Sequence, residues 1–381
     1  MKRSKGMQLG AMLTALLLLS MMFVPVTTAS ANLNTAEKLA RQYSANIWGI
    51  NNTDIIDSKL YYGLDSNPAV YVFTVQKKEN ATINREYAGT IEQRNYGVMV
   101  IGATEKYTPL VEIFDGLPAH KSADLLVKAK ELSKLYNDNS QEYKYIFLRN
   151  FDYGIEYNSN GKKIIVDLRT DKVISGDKVS MLSPEKEKAI SEQWNQINQK
   201  IKNNKLNDVQ IAAYSSGFVS GVPYYLWYRG CSPTAAGMVL GYWHDTRGYT
   251  SLPTGNTLID ELANAMGTDS NGATYPWDIA GGITTVTANH GYSFSSSNYY
   301  TEAIGWPVYK SEIGNSRPMV ISIWIDNGGP YDDHSVTGVG YSDSTSPEQH
   351  LALVHDTWDQ SFHLIDIGNT IGDLFTSAVP S

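Results

Sequence analysis

The chemistry of this chain centres on Cys231, the only cysteine in 381 residues. It stands in Gly230-Cys231-Ser232-Pro233-Thr234-Ala235-Ala236-Gly237-Met238, where a helix is expected to begin. Pro233 suits a first helical turn, because its missing N–H would be unpaired there in any case. Ala235, Met238, Val239 and Tyr242 recur at helical spacing and make one apolar stripe. A thiol at a helix N-terminus faces unpaired N–H groups and the positive end of the helix dipole, which favour thiolate over thiol. The competing reading is a small buried hydrophobe, the usual fate of an unpaired cysteine.

A thiolate nucleophile needs a base, and the base needs a group that orients it. From Val209 onward the chain offers His244, His290, His334, His350, His355 and His363. His334 opens the β-rich run Asp333–Tyr341 and follows a Gly-Gly-Pro loop, Gly328–Pro330, so its ring can stand in a cleft on a rigid strand. His355 alternates with Val354 on a later strand and reads as structural. That strand ends in Asp356-Thr357-Trp358. Pairing of the two strands would bring Asp356 beside His334, to hold the imidazole tautomer and stabilise its charged form. Trp358 reads as a shield over the pair. No His-x-x-x-His or paired-cysteine pattern occurs, so neither a metal nor another cofactor is expected. Asp269, Asn271 and Asp278 do not match a calcium loop, and Thr268–Trp277 reads as a surface turn.

Gly-Cys-Ser opening a helix, then Asp-His-Ser-Val-x-x-Val-Gly-Tyr, then Asp-Thr-Trp, resembles the papain-like cysteine peptidases over about 170 residues. The wording Cys-Ser-Pro-Thr-Ala-Ala-Gly-Met and the aspartate in third place are closer to a bacterial branch similar to the double-glycine peptidases. The resemblance implies a Cys231, His334, Asp356 triad hydrolysing peptide bonds. One departure matters. Those enzymes carry a glutamine shortly before the cysteine, whose amide joins the oxyanion hole. Here Tyr225 stands six residues upstream, and no glutamine lies between Gln210 and Cys231. Losing one such donor costs about 2.7–4 kcal/mol of transition-state stabilisation. The hydroxyls of Tyr224, Tyr225 and Tyr228 are the candidate replacements. In the earlier half, Gly97–Ala103, Tyr107-Thr108-Pro109-Leu110 and Phe114 resemble the prodomain of streptopain-type peptidases, which implies a unit that shields the active site until removed.

The elements that position these residues fall into two units. Lys2, Arg3 and Lys5, an apolar run from about Ala11 to Val26, and Ala29-Ser30-Ala31 read as a secretory signal, residues 1–31. The alternative, a membrane anchor, is disfavoured because the run is short. In an oxidising compartment a lone cysteine is better explained by chemistry than by packing. Residues 32–181 show a helix after Thr35, short β-rich runs and a helix from Ser122 to about Tyr136, an α+β unit without catalytic residues; His120 reads as a loop residue. Residues 182–208 read as a polar, solvent-exposed helical linker whose lysines, Lys200–Lys205, offer a cleavable junction. Residues 209–381 read as a helix first and a strand-rich half after it. The fold class expected is α+β, with a papain-like catalytic domain preceded by an α+β sheet domain.

The net charge of −8 is unevenly spread: from Val209 on, sixteen acidic side chains stand against four basic ones. That balance argues against a nucleic-acid partner, which needs a basic face. The function expected is a secreted cysteine peptidase of zymogen type, acting on peptide or protein substrates, with no membrane contact after signal cleavage and with the earlier unit packing on the cleft. The rivals are another thiol amide hydrolase or transferase, and a surface binding module of the same fold that has lost turnover.

Overall fold

The computed structural model describes residues 31–49, 52–78, 90–135, 143–159, 162–174, 182–209, 217–324, 333–345 and 347–381; the expected signal segment up to Ser30 and the Gly328–Pro330 loop lie outside them. Helix α1 (Leu33–Trp48) starts at Asn32, whose side chain accepts from the Thr35 N–H at 2.9 Å. The cap is therefore Asn32 rather than Thr35, because an Asx side chain three residues before that N–H is ideally placed to accept. Ala36, Leu39, Ala40 and Tyr43 form its buried face as the spacing implies.

Strands β1 (Thr53–Tyr62) and β2 (Pro68–Lys77) follow, then a short helix α2 (Ile91–Asn95) with a Thr90–Gln93 capping box, β3 (Tyr96–Gly102), β4 (Leu110–Asp115) and helix α3 (Ala123–Leu135). Gly97 in β3 is required by packing: a Cβ there would lie 2.4 Å from the Trp48 ring. Strands β5 (Lys144–Arg149), β6 (Asp152–Ser159), β7 (Lys162–Asp167) and β8 (Val173–Ile174) complete the first unit.

Helix α4 (Pro184–Lys202) starts at Ser183, whose side chain caps it, with Pro184 in the first turn. It is not the solvent-exposed linker that its composition suggested. Ile190, Gln193, Trp194 and Ile197 are buried. Trp194 Nε1 donates to the Tyr107 carbonyl at 2.9 Å, and Gln193 Nε2 to the Glu348 carbonyl at 2.8 Å. The sparse apolar stripe thus covers a junction between both units instead of a face in water.

The second unit begins with β9 (Gly217–Phe218) and helix α5 (Cys231–Arg247), followed by α6 (Gly255–Ala265), α7 (Ile279–Asn289), β10 (Phe294–Ser295), β11 (Asn298–Tyr300) and α8 (Glu302–Gly314). Helices α7 and α8 lie between the expected first helix and the strand-rich half. Their glycines, threonines and Pro307 carry poor helix propensity, and tertiary packing overrides it. Strands β12 (Met319–Trp324), β13 (Asp333–Thr345), β14 (Glu348–His355), β15 (Phe362–Asp366), β16 (Gly372–Thr376) and β17 (Val379–Pro380) match the expected strand-rich half.

Apart from β10 and β17, which pair with each other, the strands of the two units belong to one sheet. Its order is β11-β16-β12-β13-β14-β15-β4-β3-β2-β1-β5-β6-β7-β8, with β9 beside β13. The seam is β15 against β4, antiparallel, with His363 opposite Phe114, Leu364 opposite Ile113 and Ile365 opposite Glu112. One apolar core runs through both units, from Leu39, Phe73 and Ile113 to Val336, Leu353 and Ile365. A second cluster, with Val72, Val100 and Ile155, belongs to the first unit.

A continuous sheet makes each unit an open edge without the other, and an unpaired edge strand is a template for aggregation. We expect residues 209–381 expressed alone to elute as aggregates in size-exclusion chromatography and to melt without a cooperative transition. A monomer with a sharp thermal transition would show that the seam is dispensable.

Candidate active site

Helix α5 starts at Cys231 because Gly230 breaks the chain direction before it. Gly230 has φ 149°, and a Cβ on it would lie 2.5 Å from the Gly272 carbonyl oxygen. Only glycine lets the Thr268–Trp277 turn press against the helix start. That turn is closed by Asp269, whose Oδ1 accepts from the N–H groups of Asn271 and Ala273 at 2.8 and 2.9 Å. The hydroxyl of Thr234 accepts from the Tyr228 N–H at 3.1 Å and lies 2.6 Å from the Gly230 carbonyl oxygen, which fixes the approach to the cysteine. Cys231 itself is half-buried.

Two contacts bring this helix start to the His334 strand, and a third ties the segment before it to the turn after β14. Ser232 Oγ and Ser335 Oγ are 2.8 Å apart, and Thr337 Oγ1 donates to the Ala235 carbonyl at 2.9 Å. The Trp227 N–H donates to the Thr357 carbonyl at 2.6 Å. The chain on both sides of Cys231 is therefore tied to the neighbours of His334 and Trp358.

His334 is 3% exposed. Its Nε2 lies 2.7 Å from the backbone carbonyl oxygen of Asp356, so the ring donates from Nε2 and its lone pair is at Nδ1. Burial, and then the guanidinium of Arg149, hold its pKa well below the ordinary histidine value, so the ring is neutral. Trp358 stacks on it, ring centroids 3.8 Å apart at 12°, in the shielding position.

The carboxylate of Asp356 does not reach the ring. This corrects the expected geometry: the residue meets His334 through its main chain. Its Oδ1 accepts from the N–H groups of Trp358 and Asp359 at 2.8 and 3.0 Å, and its Oδ2 lies 3.5 Å from Arg169 Nη2 and 3.6 Å from His363 Nε2. The cause is the turn after β14. Thr357 has φ 71°, a left-handed conformation that a β-branched residue rarely adopts, and it points one carbonyl at His334 while the side chain turns toward the first unit.

Tyr225 is also corrected. A Cβ at Gly241 would lie 2.7 Å from its hydroxyl, which places that oxygen against the third turn of α5. Ten residues of helix separate Gly241 from Cys231, a rise of about 15 Å. Tyr224 instead stacks on His355 at 3.8 Å, and the Tyr228 hydroxyl donates to Asp260 at 3.2 Å. His290 pairs with Glu261 at 2.7 Å.

The first unit supplies residues that sequence reasoning missed. Phe151, between β5 and β6, has φ 68°, is 2% exposed and sets its ring edgewise at 5.8 Å from His334. The Arg169 guanidinium lies 4.5 Å from the centre of the Trp358 ring, and Arg149 lies at 5.8 Å. Glu112 is buried with Oε1 2.6 Å from His363 Nδ1, while its Oε2 accepts from the Phe151 N–H and the Tyr153 hydroxyl. Nothing local in the sequence marks these residues, because their partners in the second unit lie far along the chain, 251 positions for Glu112 and His363. Asp356, Asp359 and His363 present ligand atoms within 4.8 Å of one another, a grouping that could hold a cation; the Arg169 guanidinium already brings a positive charge to that place.

Residues 219–366 match the model of the Peptidase_C39 like family. That segment is similar to the C39-type peptidases. Solved structures match as well, among them a fragment of prointerpain A from Prevotella intermedia, 13% identical over 62% of this chain and 98% of that one, with a TM-score of 0.30. No curated protein matches the chain.

Across the seam, His363 is the side chain that ties the units electrostatically. Burial lowers its pKa, but Asp359, Asp356 and Glu112 outweigh burial and raise it well above the ordinary value. A group whose folded pKa is raised contributes fully below its unfolded value, about 6.5, and loses that contribution as pH rises through the folded value. Removing one partner of a buried pair costs about 3–5 kcal/mol. We expect His363→Gln to be destabilised by that order near neutral pH, with the gap from wild type narrowing as pH rises in urea unfolding series. A gap that widens with pH would show that His363 is uncharged in the folded chain.

Proposed function

We propose that the chain is a secreted cysteine peptidase made as a zymogen, with Cys231 as nucleophile, His334 as base and Asp356 as the residue that orients the base. The observation that carries this reading is the Ser232–Ser335 contact, which seats the helix start bearing the only cysteine on the strand start bearing His334. In this reading the thiol gives its proton to His334 Nδ1 and the sulfur attacks the peptide carbonyl. His334 then returns the proton to the leaving amine as the thioester forms, and water hydrolyses the thioester with the same ring as base. Asp356 holds the ring through its carbonyl oxygen, and Trp358 keeps water from that hydrogen bond. The N–H groups at the start of α5 are the available oxyanion donors, since Tyr225 points elsewhere.

Latency is supported by the residues facing His334 from the first unit. Catalysis needs the imidazolium after proton transfer; Phe151 sets an apolar edge against the ring, and the charges of Arg149 and Arg169, which stand against the stacked Trp358, disfavour the imidazolium. The exposed turn at Lys202–Lys205, after α4, is accessible to a protease. Export is supported by the N-terminal pattern; no helix among the described residues is long and apolar enough to cross a membrane. The binding-module reading is favoured by one observation, that the Asp356 carboxylate is turned away from His334.

Hydrolysis of a general protein substrate by the intact chain and by the chain nicked at Lys202–Lys205 separates these readings. We expect nicking to raise the rate and Cys231→Ala to abolish it in both forms. We also expect Arg169→Gln to raise the rate of the intact chain by about tenfold, about 1.4 kcal/mol. Folded, nicked protein without cysteine-dependent hydrolysis would leave the binding module.

A further inference from the structure

A cavity of about 710 Å³ lies between the two units, on the side of Trp358 where Arg169 stands. Trp227 and Trp358 of the second unit face Phe151, Leu125 and Leu168 of the first across it. Its volume is that of a site for a small organic molecule or a few peptide residues. Its walls are mainly aromatic and apolar, and the polar groups converging on them are unevenly engaged. The carboxylates Asp115 and Asp359 are held by Lys77 and His363. Arg169 is 25% exposed; its Nε donates to the Phe151 carbonyl at 2.7 Å, and its contact with Asp356 is an ion pair at 3.5 Å. That is longer than a charge-assisted hydrogen bond of about 2.7–2.9 Å, so the guanidinium fork is not saturated. Arg149 also lines the cavity, and its Nε–H has no hydrogen-bond partner among the described residues.

We propose that this inter-unit cavity binds an amphipathic carboxylate, an apolar or aromatic group with an adjacent carboxylate such as a peptide C-terminus presents, with Arg169 taking the carboxylate and the two tryptophans taking the apolar part. With Nε held by the Phe151 carbonyl, the two Nη groups of the planar guanidinium can donate end-on to a carboxylate through two parallel N–H bonds, which the long contact to Asp356 does not provide. The ligand therefore competes with Asp356 for Arg169. Asp356 and Trp358, released from the guanidinium, are the two residues that hold His334, so occupancy of the cavity reaches the base. The site stands on the cavity and its arginine; its effect on activity rests on the peptidase reading.

Isothermal titration of the full chain carrying Cys231→Ala tests the site without turnover. The probes are N-acetyl-leucyl-phenylalanine, its C-terminal amide and 3-phenylpropionate. The peptide acid is expected to bind at least about tenfold tighter than the amide, and Arg169→Gln to remove that preference. Leu125→Trp, which fills the cavity and leaves Arg169 in place, is expected to weaken the acid by a similar factor; thermal melts confirm that both variants fold. Equal affinity of 3-phenylpropionate and the peptide acid supports a free carboxylate as the ligand, and tighter peptide binding supports a chain terminus. Acid and amide binding alike, both variants binding as the parent does, or no heat up to about 1 mM ligand would overturn the site. With Cys231 intact, saturating acid should raise cysteine-dependent hydrolysis several-fold. Binding without any cysteine-dependent hydrolysis sinks the peptidase reading and leaves the site standing.

Discussion

The pairing of β4 with β15 is the constraint on which the rest of the molecule depends. Backbone N–H and C=O groups at a sheet edge need partners, and here each unit supplies the other's. The register of that pairing puts Glu112 opposite Ile365 and Phe114 opposite His363. Phe114 stacks on His363 at 4.9 Å, and Glu112 reaches its Nδ1. A shift of one residue would send Glu112 to the other face and bury it without its cation. The seam therefore fixes both how the units meet and which charges meet.

From that seam the geometry around His334 follows. His363 is drawn to Glu112 on one side and to Asp359 and Asp356 on the other. Buried charges persist only when paired, so the Asp356 side chain belongs to this cluster, together with Arg169, and its main-chain carbonyl is what remains for His334. The strained Thr357 is the local cost of using one residue in two directions. The stack of His334, Trp358 and Arg169 is the visible result, two rings and a guanidinium drawn from two units.

Much of this was legible in the sequence, and what was not has a common cause. The helix at Cys231 is signalled by glycine, proline and an apolar stripe within a dozen residues. The strands carrying His334 and His355 are signalled by β-rich runs, and local patterns of this kind report local structure. The direction of the Asp356 side chain is not local. It depends on Arg169 and His363, and no spacing in the sequence ties Arg169 to Asp356. Tyr225 fails for a related reason, because six positions along a chain without regular structure say little about distance; the segment before Gly230 folds back along α5 to Gly237 and Gly241. The burial of α4 was missed because five apolar residues in a charged stretch suit a narrow interface as well as a solvated face.

The seam also orders events in time. A chain is made, and threaded through any translocation pore, from its N-terminus. Glu112 and His363, the charges that face each other across the seam, are 251 positions apart. From the emergence of β4 until that of β15 the first unit has β4 uncovered and Glu112 without its cation. Helix α5 and Cys231 emerge during that interval, before Trp358 and the Asp356 carbonyl exist to hold His334. The thiol is thus present long before His334 is fixed, and the strands after β13 decide when the two sides come together. Premature release of a chain lacking them would leave an open sheet edge beside an unshielded thiol, a species prone to both strand-to-strand association and oxidation.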